Sequence, residues 1–359
     1  MFIFIVNARF LTQKITGSQR FAIEISKCLK KLCPNIVFLA PKNILHKDIA
    51  EELEVKTIGK NKGHIWEQID LPLHLKRLGN PLLLNLVNTA PLLYKNKIVT
   101  IHDLSWMHFP NSVSKKFYIY YKFLIPRIAK NSLHIFTVSY FSKKDIMKNL
   151  KIESNKISVI YNAISDKFQN LDVNKEDIIL SVATLQPYKN LESLIKAFVK
   201  LKEDKRIKEN YKLVLVGGLN SKVFRKTNLF NIAKNRKDIV FTGYVSDSEL
   251  VKFYNKAKLF VFSSKFEGFG IPPLEAMACG TPVVVSNVAS LPEVCGDAAY
   301  YVNPYDVNDI ARGIETVLKN EKLQKKLIKK GLERVKLFGW EKSAKKLIEV
   351  IEEVISCRK

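Results

Sequence analysis

The stretch that decides the fold is residues 258–286, KLFVFSSKFEGFGIPPLEAMACGTPVVVS. Two apolar runs of strand length, 259–263 and 282–286, stand at its ends, and the second is rich in valine. The chain between them carries helix signals, so the stretch predicts a strand, a loop, a short helix, a tight turn and a second strand. This order is typical of parallel sheets, in which a helix returns the chain to the start of the next strand.

Helix signals and two carboxylates fill the middle of this stretch. Pro272 stands at a first helical position, which proline tolerates, and Gly280 can adopt the left-handed conformation that ends a helix. Glu267 lies in the loop, and Glu275 lies in the helix eight residues later. Ordinary loops are polar, whereas this one is apolar, aromatic and glycine-rich with a carboxylate on each side. We therefore expect it to face a ligand.

Apolar runs of strand length alternate with helical patterns along the rest of the chain. Strands are predicted at 2–7, 36–40, 55–58, 82–86, 98–102, 135–139, 158–161, 178–183, 212–216, 239–242 and 299–302. Helices are predicted at 20–32, 44–53, 65–78, 115–130, 191–202, 248–257, 307–319, 322–337 and 340–357. A polar passage, 162–177, is the predicted linker. The alternation predicts two α/β domains with doubly wound parallel sheets, and ligands at the carboxyl ends of strands in a cleft between the domains.

Length and composition are those of a two-domain globular protein. The chain has 359 residues, and 47% of them are hydrophobic, which is enough for substantial cores. Its five cysteines are odd in number and lack metal-ligand spacing, so we expect reduced thiols and no metal site. Residues 1–7 lack a basic leader, and no later run reaches the roughly 18 apolar residues of a spanning helix. These features predict a cytoplasmic protein.

The net charge of +25 leaves three explanations open. They are a lysine-rich surface without a polyanionic partner, attraction to an anionic membrane or lipid phosphate, and binding of nucleic acid. Lysine outnumbers arginine and no basic run is longer than three residues, whereas nucleic-acid readers favour arginine forks. We therefore expect no nucleic acid partner.

Polar residues at two strand ends are candidate site residues. Lys189 follows the strand 178–183 and precedes Asn190, the predicted N-cap of the next helix, where a lysine can meet an anion held at the helix start. His102 and Asp103 end the run VTIHD, and a histidine there is a candidate acid, base or hydroxyl ligand. An ordinary loop or packing role is the alternative for each. The chain contains neither G-x-G-x-x-G nor G-x-x-x-x-G-K-[ST], which disfavours dinucleotide dehydrogenases and P-loop NTPases.

The segment FEGFGIPPLEAMACGTPVV closely resembles the E-x7-E signature of the retaining, nucleotide-sugar-dependent glycosyltransferases of family 4, which have the GT-B fold of two Rossmann-like domains. Other segments that resemble this family cover nearly the whole chain. They are NARFLTQKITGSQRFAIEI, VTIHDLSWMHFP, FTVSYFSKKDI, VIYNAIS, SVATLQPYKNLESLIKAF, FTGYVSDSELVKFY and SLPEVCGDAAYYVNPYD.

The resemblance implies a division of roles in a nucleotide-sugar site. Glu275 would accept hydrogen bonds from the ribose hydroxyls, and Glu267 would hold the transferred sugar and stabilise positive charge at its anomeric carbon. Lys189 and amides near Gly270 would hold the diphosphate without a metal ion. The implied donor-binding residues are Gly17, Lys189, Asn190, Tyr244, Val245, Phe269, Gly270, Ile271 and Glu275, and the implied catalytic residues are His102, Asp103 and Glu267.

Within this set, Gly17 would let backbone close on the phosphates, and Tyr244 and Val245 would frame the base. Many relatives carry an arginine beside Lys189 or five residues before it, where this sequence has Tyr188 and Thr184. Either Lys189 holds the diphosphate alone, or another basic residue such as Arg225 contributes.

The resemblance also implies that the chain is organised as two domains and a final helix. An acceptor-binding domain would span 1–165, a nucleotide-sugar-binding domain 166–338, and a final helix 339–359 would cross back to the first domain with Trp340 as its anchor. The alternative is a final helix that packs only on the second domain.

The expected activity is transfer of a hexose, with retention, from a nucleoside diphosphate sugar to a hydroxyl of a lipid-linked saccharide such as an O-antigen or capsule precursor. GDP-mannose is favoured over UDP- and dTDP-sugars. The basic, aromatic segment 114–130 either lies on the inner face of the cytoplasmic membrane or is a buried helix with snorkelling lysines. The alternative functions are a nucleotide-sugar epimerase or another enzyme on this scaffold, and a polyanion-binding protein.

Overall fold

In the computed structural model, which describes residues 4–217, 233 and 236–357, the chain divides into two units. Unit 1 comprises Met1–Ala163 and Gly339–Lys359, and unit 2 comprises Ile164–Phe338. Each unit contains one parallel sheet.

The sheet of unit 1 has seven strands in the order β3-β2-β1-β4-β5-β6-β7, and every pairing is parallel. Its strands are β1 (Phe4–Asn7), β2 (Val37–Ala40), β3 (Lys56–Thr57), β4 (Leu82–Asn85), β5 (Lys97–Thr100), β6 (His134–Thr137) and β7 (Ile157–Val159). The central strands are buried along their length because helices cover the sheet, which explains their nearly continuous apolar sequences.

The helices between these strands are α1 (Gly17–Leu32), α2 (Lys47–Glu52), α3 (Gly63–Ile65), α4 (Leu71–Arg77), α5 (Ser105–His108), α6 (Lys115–Asn131) and α7 (Tyr140–Leu150). A π-helical turn, Trp66–Asp70, joins α3 to α4. Pro126 does not break α6, since the helix continues through it to Asn131.

The sheet of unit 2 has six parallel strands in the order β10-β9-β8-β11-β12-β13. Its strands are β8 (Glu176–Val182), β9 (Lys212–Val216), β10 (Ile239–Gly243), β11 (Ala257–Phe262), β12 (Val283–Ser286) and β13 (Ala299–Val302). Its described helices are α8 (Leu191–Glu203), α9 (Asp247–Lys256), α10 (Ile271–Ala278), α11 (Leu291–Cys295), α12 (Val307–Lys319) and α13 (Glu321–Val335).

The last helix, α14 (Trp340–Ser356), packs on α1 within unit 1. The ring of Trp340 meets the ring of Phe21 edge-on at 6.0 Å between centroids. The Ser343 hydroxyl donates a hydrogen bond of 2.7 Å to the carbonyl of Tyr161.

The predicted fold class is confirmed, because both units have doubly wound parallel sheets. Each predicted strand has a counterpart, within about two residues at each end. The helices α5, α7 and α11 were not predicted, and neither was the π-helical turn. Two of these helices are only four or five residues long, too short to show an apolar period. Within the described part of the chain, no helix has the length and apolarity needed to span a bilayer.

Buried His134 links the stability of unit 1 to pH. Its ring nitrogen Nε2 lies 2.9 Å from the hydroxyl of Ser158. Burial, together with the charges of Lys143 and Lys156, lowers the pKa of His134 to about 4. An unfolded histidine titrates near pH 6.5, so between these values the unfolded chain binds more protons and stability rises with pH.

We therefore expect the contribution of His134 to be complete above pH 6.5 and to be lost as the pH falls toward 4. The slope is about 1.4 kcal/mol per pH unit within that window. Urea unfolding of the wild type and of His134→Gln between pH 4.5 and 7 measures it. The variant should lose less stability than the wild type as the pH falls, and parallel curves would contradict the assignment.

Candidate active site

The strand order of unit 2 reverses between β8 and β11. The chain runs from β8 outward to β9 and β10, then returns to β11 on the other side of β8. At such a reversal the loops leave toward opposite faces of the sheet, which opens a crevice at the carboxyl ends of the two strands. Lys189 follows β8 and Glu267 follows β11, so the topology brings these two residues to one place.

Lys189 and Glu267 form an ion pair at this crevice. Nζ of Lys189 lies 2.7 Å from Oε1 and 2.9 Å from Oε2 of Glu267, and 17% and 10% of the two side chains is exposed. Ser264 donates a hydrogen bond of 2.5 Å to the same Oε1. The ammonium also lies 5.2 Å from the ring centre of Tyr188 and 5.6 Å from that of Phe262. A ligand that binds Lys189 therefore competes with Glu267 for it, and a ligand that binds Glu267 competes with Lys189.

The backbone of the Glu267 loop is held by buried hydrogen bonds. The amide of Lys265 donates to the carbonyl of Tyr188 at 2.7 Å, which joins this loop to the turn that carries Lys189. The fully buried hydroxyl of Ser290 lies 2.9 Å from the carbonyl of Glu267 and 2.8 Å from that of Phe269. These contacts fix the backbone from which the side chain of Glu267 projects.

The loop turns into α10 at Gly270, whose φ of +98° lies in the left-handed region. The turn favours glycine for its conformation, and a Cβ at this position would lie 2.6 Å from Cδ2 of the buried Leu291, whose side chain would have to shift. Phe269 is buried, and its ring meets that of Phe338 edge-on at 5.6 Å. Ile271 begins the helix, whose positive dipole end lies at this turn.

Glu275 lies one turn into α10 and is buried. Its Oε2 accepts a hydrogen bond of 2.9 Å from the hydroxyl of Tyr254. Burial and the adjacent carboxylate raise the pKa of Tyr254 well above its usual range, so this hydroxyl stays a donor. Burial, with the charge of Glu275, also raises the pKa of the Cys279 thiol to about 12. The hydrogen bond from Tyr254 thus orients the buried carboxylate of Glu275.

Asn190 precedes α8 as predicted, but its side chain does not cap the helix. Its Nδ2 donates to the carbonyls of Ser263 at 3.0 Å and Pro304 at 2.7 Å, and its Oδ1 accepts from Ser193 at 2.8 Å. The residue is buried with a φ of +59°. In this structure Asn190 joins the start of α8 to the segments that follow β11 and β13. Its role in donor binding stays a prediction.

Tyr244 and Val245 follow β10, which is the edge strand of the sheet. Tyr244 is 83% exposed and Val245 is half-buried. The structure therefore places these two residues two strands from β8. Arg225, the other candidate for a phosphate contact, lies outside the described residues.

In unit 1, His102 is buried just after β5. Its Nε2 lies 3.1 Å from the carbonyl of Leu86, and because a carbonyl only accepts, Nε2 carries the proton. Its ring meets that of Phe21 edge-on at 5.1 Å. Burial lowers the pKa of His102 despite the neighbouring Asp103, so the ring is neutral with its lone pair on Nδ1. Asp103 accepts a hydrogen bond of 2.8 Å from the amide of Ser105.

Gly17 is the exposed first residue of α1. The helix start is held by Thr16, whose amide donates to the side chain of Gln19 at 3.3 Å. Among the described residues, and apart from its chain neighbours and the backbone of α1, no heavy atom lies within 4 Å of the place where a Cβ of Gly17 would stand. Unit 1 itself therefore does not require glycine at this position.

Comparison with known proteins identifies the family. Residues 163–334 match the model of the family described as glycosyl transferases group 1. The chain is 32% identical over 332 residues to the O-antigen chain mannosyltransferase RfbU of Salmonella typhimurium (strain LT2), and the match covers 87% of this chain and 90% of that protein. The chain belongs to the group 1 glycosyltransferase family.

Solved structures share the fold of this glycosyltransferase. Sucrose-phosphate synthase from Thermosynechococcus elongatus aligns over 99% of both chains with a TM-score of 0.76 and 18% identity. HepE from Anabaena, in complex with UDP and glucose, aligns over 98% of this chain and 100% of its own with a TM-score of 0.75 and 16% identity. At these identities the likeness is one of fold, and it confirms the predicted GT-B architecture.

Three residues of the glycosyltransferase site were not predicted: Tyr254, Ser264 and Ser290. Ser264 and Ser290 are ordinary loop serines in the sequence. Ser264 bonds to Glu267 within its own loop, and Ser290, which follows β12, reaches the carbonyls of Glu267 and Phe269 in the loop after β11. Tyr254 ends the segment FTGYVSDSELVKFY, in which only Tyr244 and Val245 were predicted site residues, and its side chain contacts Glu275. Among the described residues, no three His, Cys, Asp or Glu side chains are grouped as metal ligands, and catalysis without metal stays a prediction.

The two glycines of the predicted donor site should respond differently to alanine. Gly270→Ala imposes a positive φ on a residue with a Cβ and brings that atom against Leu291, so we expect a loss of about 1–3 kcal/mol in unfolding free energy. Gly17→Ala meets no atom, and we expect a change within about 0.5 kcal/mol. Urea unfolding of both variants measures this difference.

If ligand phosphate approaches the backbone of Gly17, Gly17→Ala should reduce glycosyl transfer while its stability stays that of the wild type. Equal stability losses in the two variants would contradict the local geometry described for Gly270.

Proposed function

We propose that this glycosyltransferase transfers a hexose from a nucleoside diphosphate sugar to a hydroxyl of a lipid-linked saccharide, with retention and without metal, in the synthesis of a bacterial surface polysaccharide. The meeting of Lys189 with Glu267 at the strand reversal, beside the start of α10, is the observation that supports the donor class. The similarity to an O-antigen chain mannosyltransferase supports the pathway and favours GDP-mannose as donor.

In the proposed donor complex, the diphosphate replaces Glu267 as the partner of Lys189. A primary ammonium suits this exchange, since it is a rotatable point charge that binds a phosphate as readily as a carboxylate. The amides and dipole at the start of α10 assist it. The released Glu267 then holds hydroxyls of the donor sugar. Its negative charge stabilises the positive charge that develops at the anomeric carbon.

Glu275 and His102 have binding roles in this proposal. Glu275, oriented by Tyr254, accepts hydrogen bonds from the two ribose hydroxyls. His102 is neutral and presents Nδ1 as an acceptor, so it binds a sugar hydroxyl. The leaving phosphate receives the proton of the acceptor hydroxyl as the new glycosidic bond forms, which balances the reaction without a separate base.

The exchange of partners at Lys189 predicts opposite effects on binding and on turnover. In Glu267→Gln, Lys189 no longer has to leave a carboxylate, so we expect the free nucleoside diphosphate to bind about tenfold more tightly. The same change removes the charge beside the anomeric carbon, and kcat should fall about 10²- to 10³-fold. In Lys189→Gln, both binding and turnover should weaken.

Calorimetric titration with GDP, UDP and dTDP measures the binding, and it also selects the donor base. Lys196→Gln is the matched control, because Lys196 pairs with Glu192 on the exposed face of α8. Weaker binding of every nucleotide to Glu267→Gln would contradict the proposed exchange of Glu267 for the diphosphate at Lys189.

Turnover of a labelled nucleotide sugar without any acceptor, other than slow hydrolysis, would favour an epimerase instead.

The apolar surface of α6 supports a membrane-bound acceptor. Phe117, Ile119 and Phe123 are 37%, 67% and 51% exposed on a helix that also carries five basic residues, Lys115, Lys116, Lys122, Arg127 and Lys130. The neighbouring α3, π-helical turn and α4 expose Ile65, Ile69 and Leu73 at a spacing of four residues. Rings of His64 and Tyr120, 4.8 Å apart, join the two surfaces. Apolar side chains bordered by basic ones suit the surface of an anionic bilayer.

Vesicle binding tests this surface. We expect the protein to sediment with vesicles that contain anionic lipid at low salt, and less at high salt, because screening removes the attraction of the basic residues. A double change, Ile119→Ser with Phe123→Ser, should reduce the bound fraction several-fold. Leu337→Ser, at an equally exposed leucine of unit 2, is the matched control. Binding that is absent, or equal for both variants, would contradict the assignment.

A further inference from the structure

A second polar cluster lies at the strand reversal of unit 1. The strand order β3-β2-β1-β4-β5-β6-β7 reverses between β1 and β4. Asn7 and Asn85, the last residues of these strands, are paired in register, and Nδ2 of Asn7 lies 3.0 Å from Oδ1 of Asn85. The rule that places a ligand crevice between β8 and β11 applies equally to this position.

Arg9 and Glu67 form a buried ion pair just beyond these strand ends. Nε of Arg9 donates to Oε1 of Glu67 at 3.0 Å, and Nη2 donates to the hydroxyl of Thr89 at 2.7 Å. Thr89 donates to the same Oε1 at 3.1 Å, as does Nδ2 of Asn7 at 3.0 Å. Arg9 is 4% exposed and Glu67 is fully buried.

The solvent side of this cluster is aromatic. The side chain of His64 is 40% exposed, and its Nδ1 lies 3.4 Å from Oε2 of Glu67. Its ring lies 4.8 Å from that of Tyr120. The hydroxyl of Tyr120 is buried, and among the described residues it has no hydrogen-bond partner. An unpaired buried hydroxyl is unfavourable, so this group is available to bind a hydroxyl of a ligand or a water molecule.

The π-helical turn Trp66–Asp70 brings Glu67 into the cluster. Nε1 of Trp66 donates to the carbonyl of Ile58 at 2.8 Å. The side chain of Gln68 is bound to the carbonyl of Ala90 at 2.9 Å and to the amide of Leu92 at 2.8 Å. Single π-helical turns inside helices are frequent at functional sites, because they widen the helix where a side chain must reach a particular point.

We propose that His64, Tyr120 and Arg9 form the saccharide subsite that holds the acceptor, with Glu67 as the residue that positions Arg9 and His64. This inference rests on the proposed function, since it assigns the acceptor of that reaction to unit 1. The hydroxyl of Tyr120 and the guanidinium donate to acceptor hydroxyls, and the adjoining rings present an apolar face to the C–H groups of a pyranose.

Charge favours a neutral saccharide over a phosphate at this subsite. Arg9 is already neutralised by Glu67, and the cluster contains no lysine. Burial alone would raise the pKa of Glu67, but Arg9, with His64 and Thr89, outweighs it and holds the pKa at about 2. Because Oε1 of Glu67 already accepts hydrogen bonds from Arg9, Thr89 and Asn7, we assign Glu67 the role of positioning its neighbours.

Two single-residue variants test the subsite. Tyr120→Phe removes only the hydroxyl, and His64→Ala removes the exposed ring. Each should raise the KM for the saccharide acceptor about 3- to 10-fold, the effect of one hydrogen bond for Tyr120→Phe and of one ring contact for His64→Ala, with little change in kcat. Hydrolysis of the donor by water, measured without acceptor, should keep the wild-type rate. Tyr118→Phe on the same helix is the matched control.

A direct binding measurement separates this inference from the proposed function. Methyl α-mannoside and methyl α-glucoside are the probes, detected by saturation-transfer NMR with the donor site filled by whichever nucleoside diphosphate binds. Binding that weakens in Tyr120→Phe and His64→Ala supports the subsite, even if no nucleotide sugar supports transfer, in which case only the proposed function fails. A wild type that binds neither glycoside, or variants that bind them like the wild type and lose only stability, would overturn the subsite.

Discussion

The reversal of strand order in each parallel sheet determines where charged side chains of this glycosyltransferase can meet. Between β8 and β11, and between β1 and β4, neighbouring strands are far apart in sequence, and their outgoing loops leave toward opposite faces. No loop has to cover the strand ends at these positions, so polar side chains can gather there. Lys189 with Glu267 and Arg9 with Glu67 occupy the corresponding position of the two sheets.

The two ion pairs differ in how readily they can separate. The guanidinium of Arg9 binds two different acceptors in a fixed plane, and breaking a buried pair of this kind costs about 3–5 kcal/mol. The ammonium of Lys189 binds one carboxylate in a partly exposed place, and it can rotate to another anion with little loss of geometry. Arg9 and Glu67 therefore suit a fixed binding surface, whereas Lys189 and Glu267 suit an exchange with a charged ligand.

The sequence predicts the sheets well because buried parallel strands are continuous apolar runs. The predicted strand 212–216 coincides with β9, and 299–302 coincides with β13. The site is less predictable, because its contacts join residues that are far apart in the chain. Lys189 and Glu267 are 78 residues apart, and nothing local to either one indicates that they touch. The sequence around Glu67 has the apolar period of an ordinary helix, so it does not predict the π-helical turn. The turn depends on the hydrogen bonds of Trp66 to Ile58 and of Gln68 to Ala90, which the local sequence does not indicate.

The hydrogen-bond partners of Glu275 and Glu267 determine when the negative charge of each carboxylate can act on a ligand. Glu275 is oriented by the hydroxyl of Tyr254, a neutral donor that aligns the carboxylate without cancelling its charge. Glu267 is aligned by Ser264 in the same manner, but its charge is compensated by Lys189.

In the proposed reaction the donor diphosphate binds the ammonium of Lys189, so the charge of Glu267 becomes uncompensated only when a donor is present. Because an uncompensated, partly buried carboxylate is unfavourable, part of the diphosphate's binding free energy is then stored beside the anomeric carbon. Positive charge that develops on that carbon in the transition state relieves the cost, which is the condition for binding energy to accelerate the transfer.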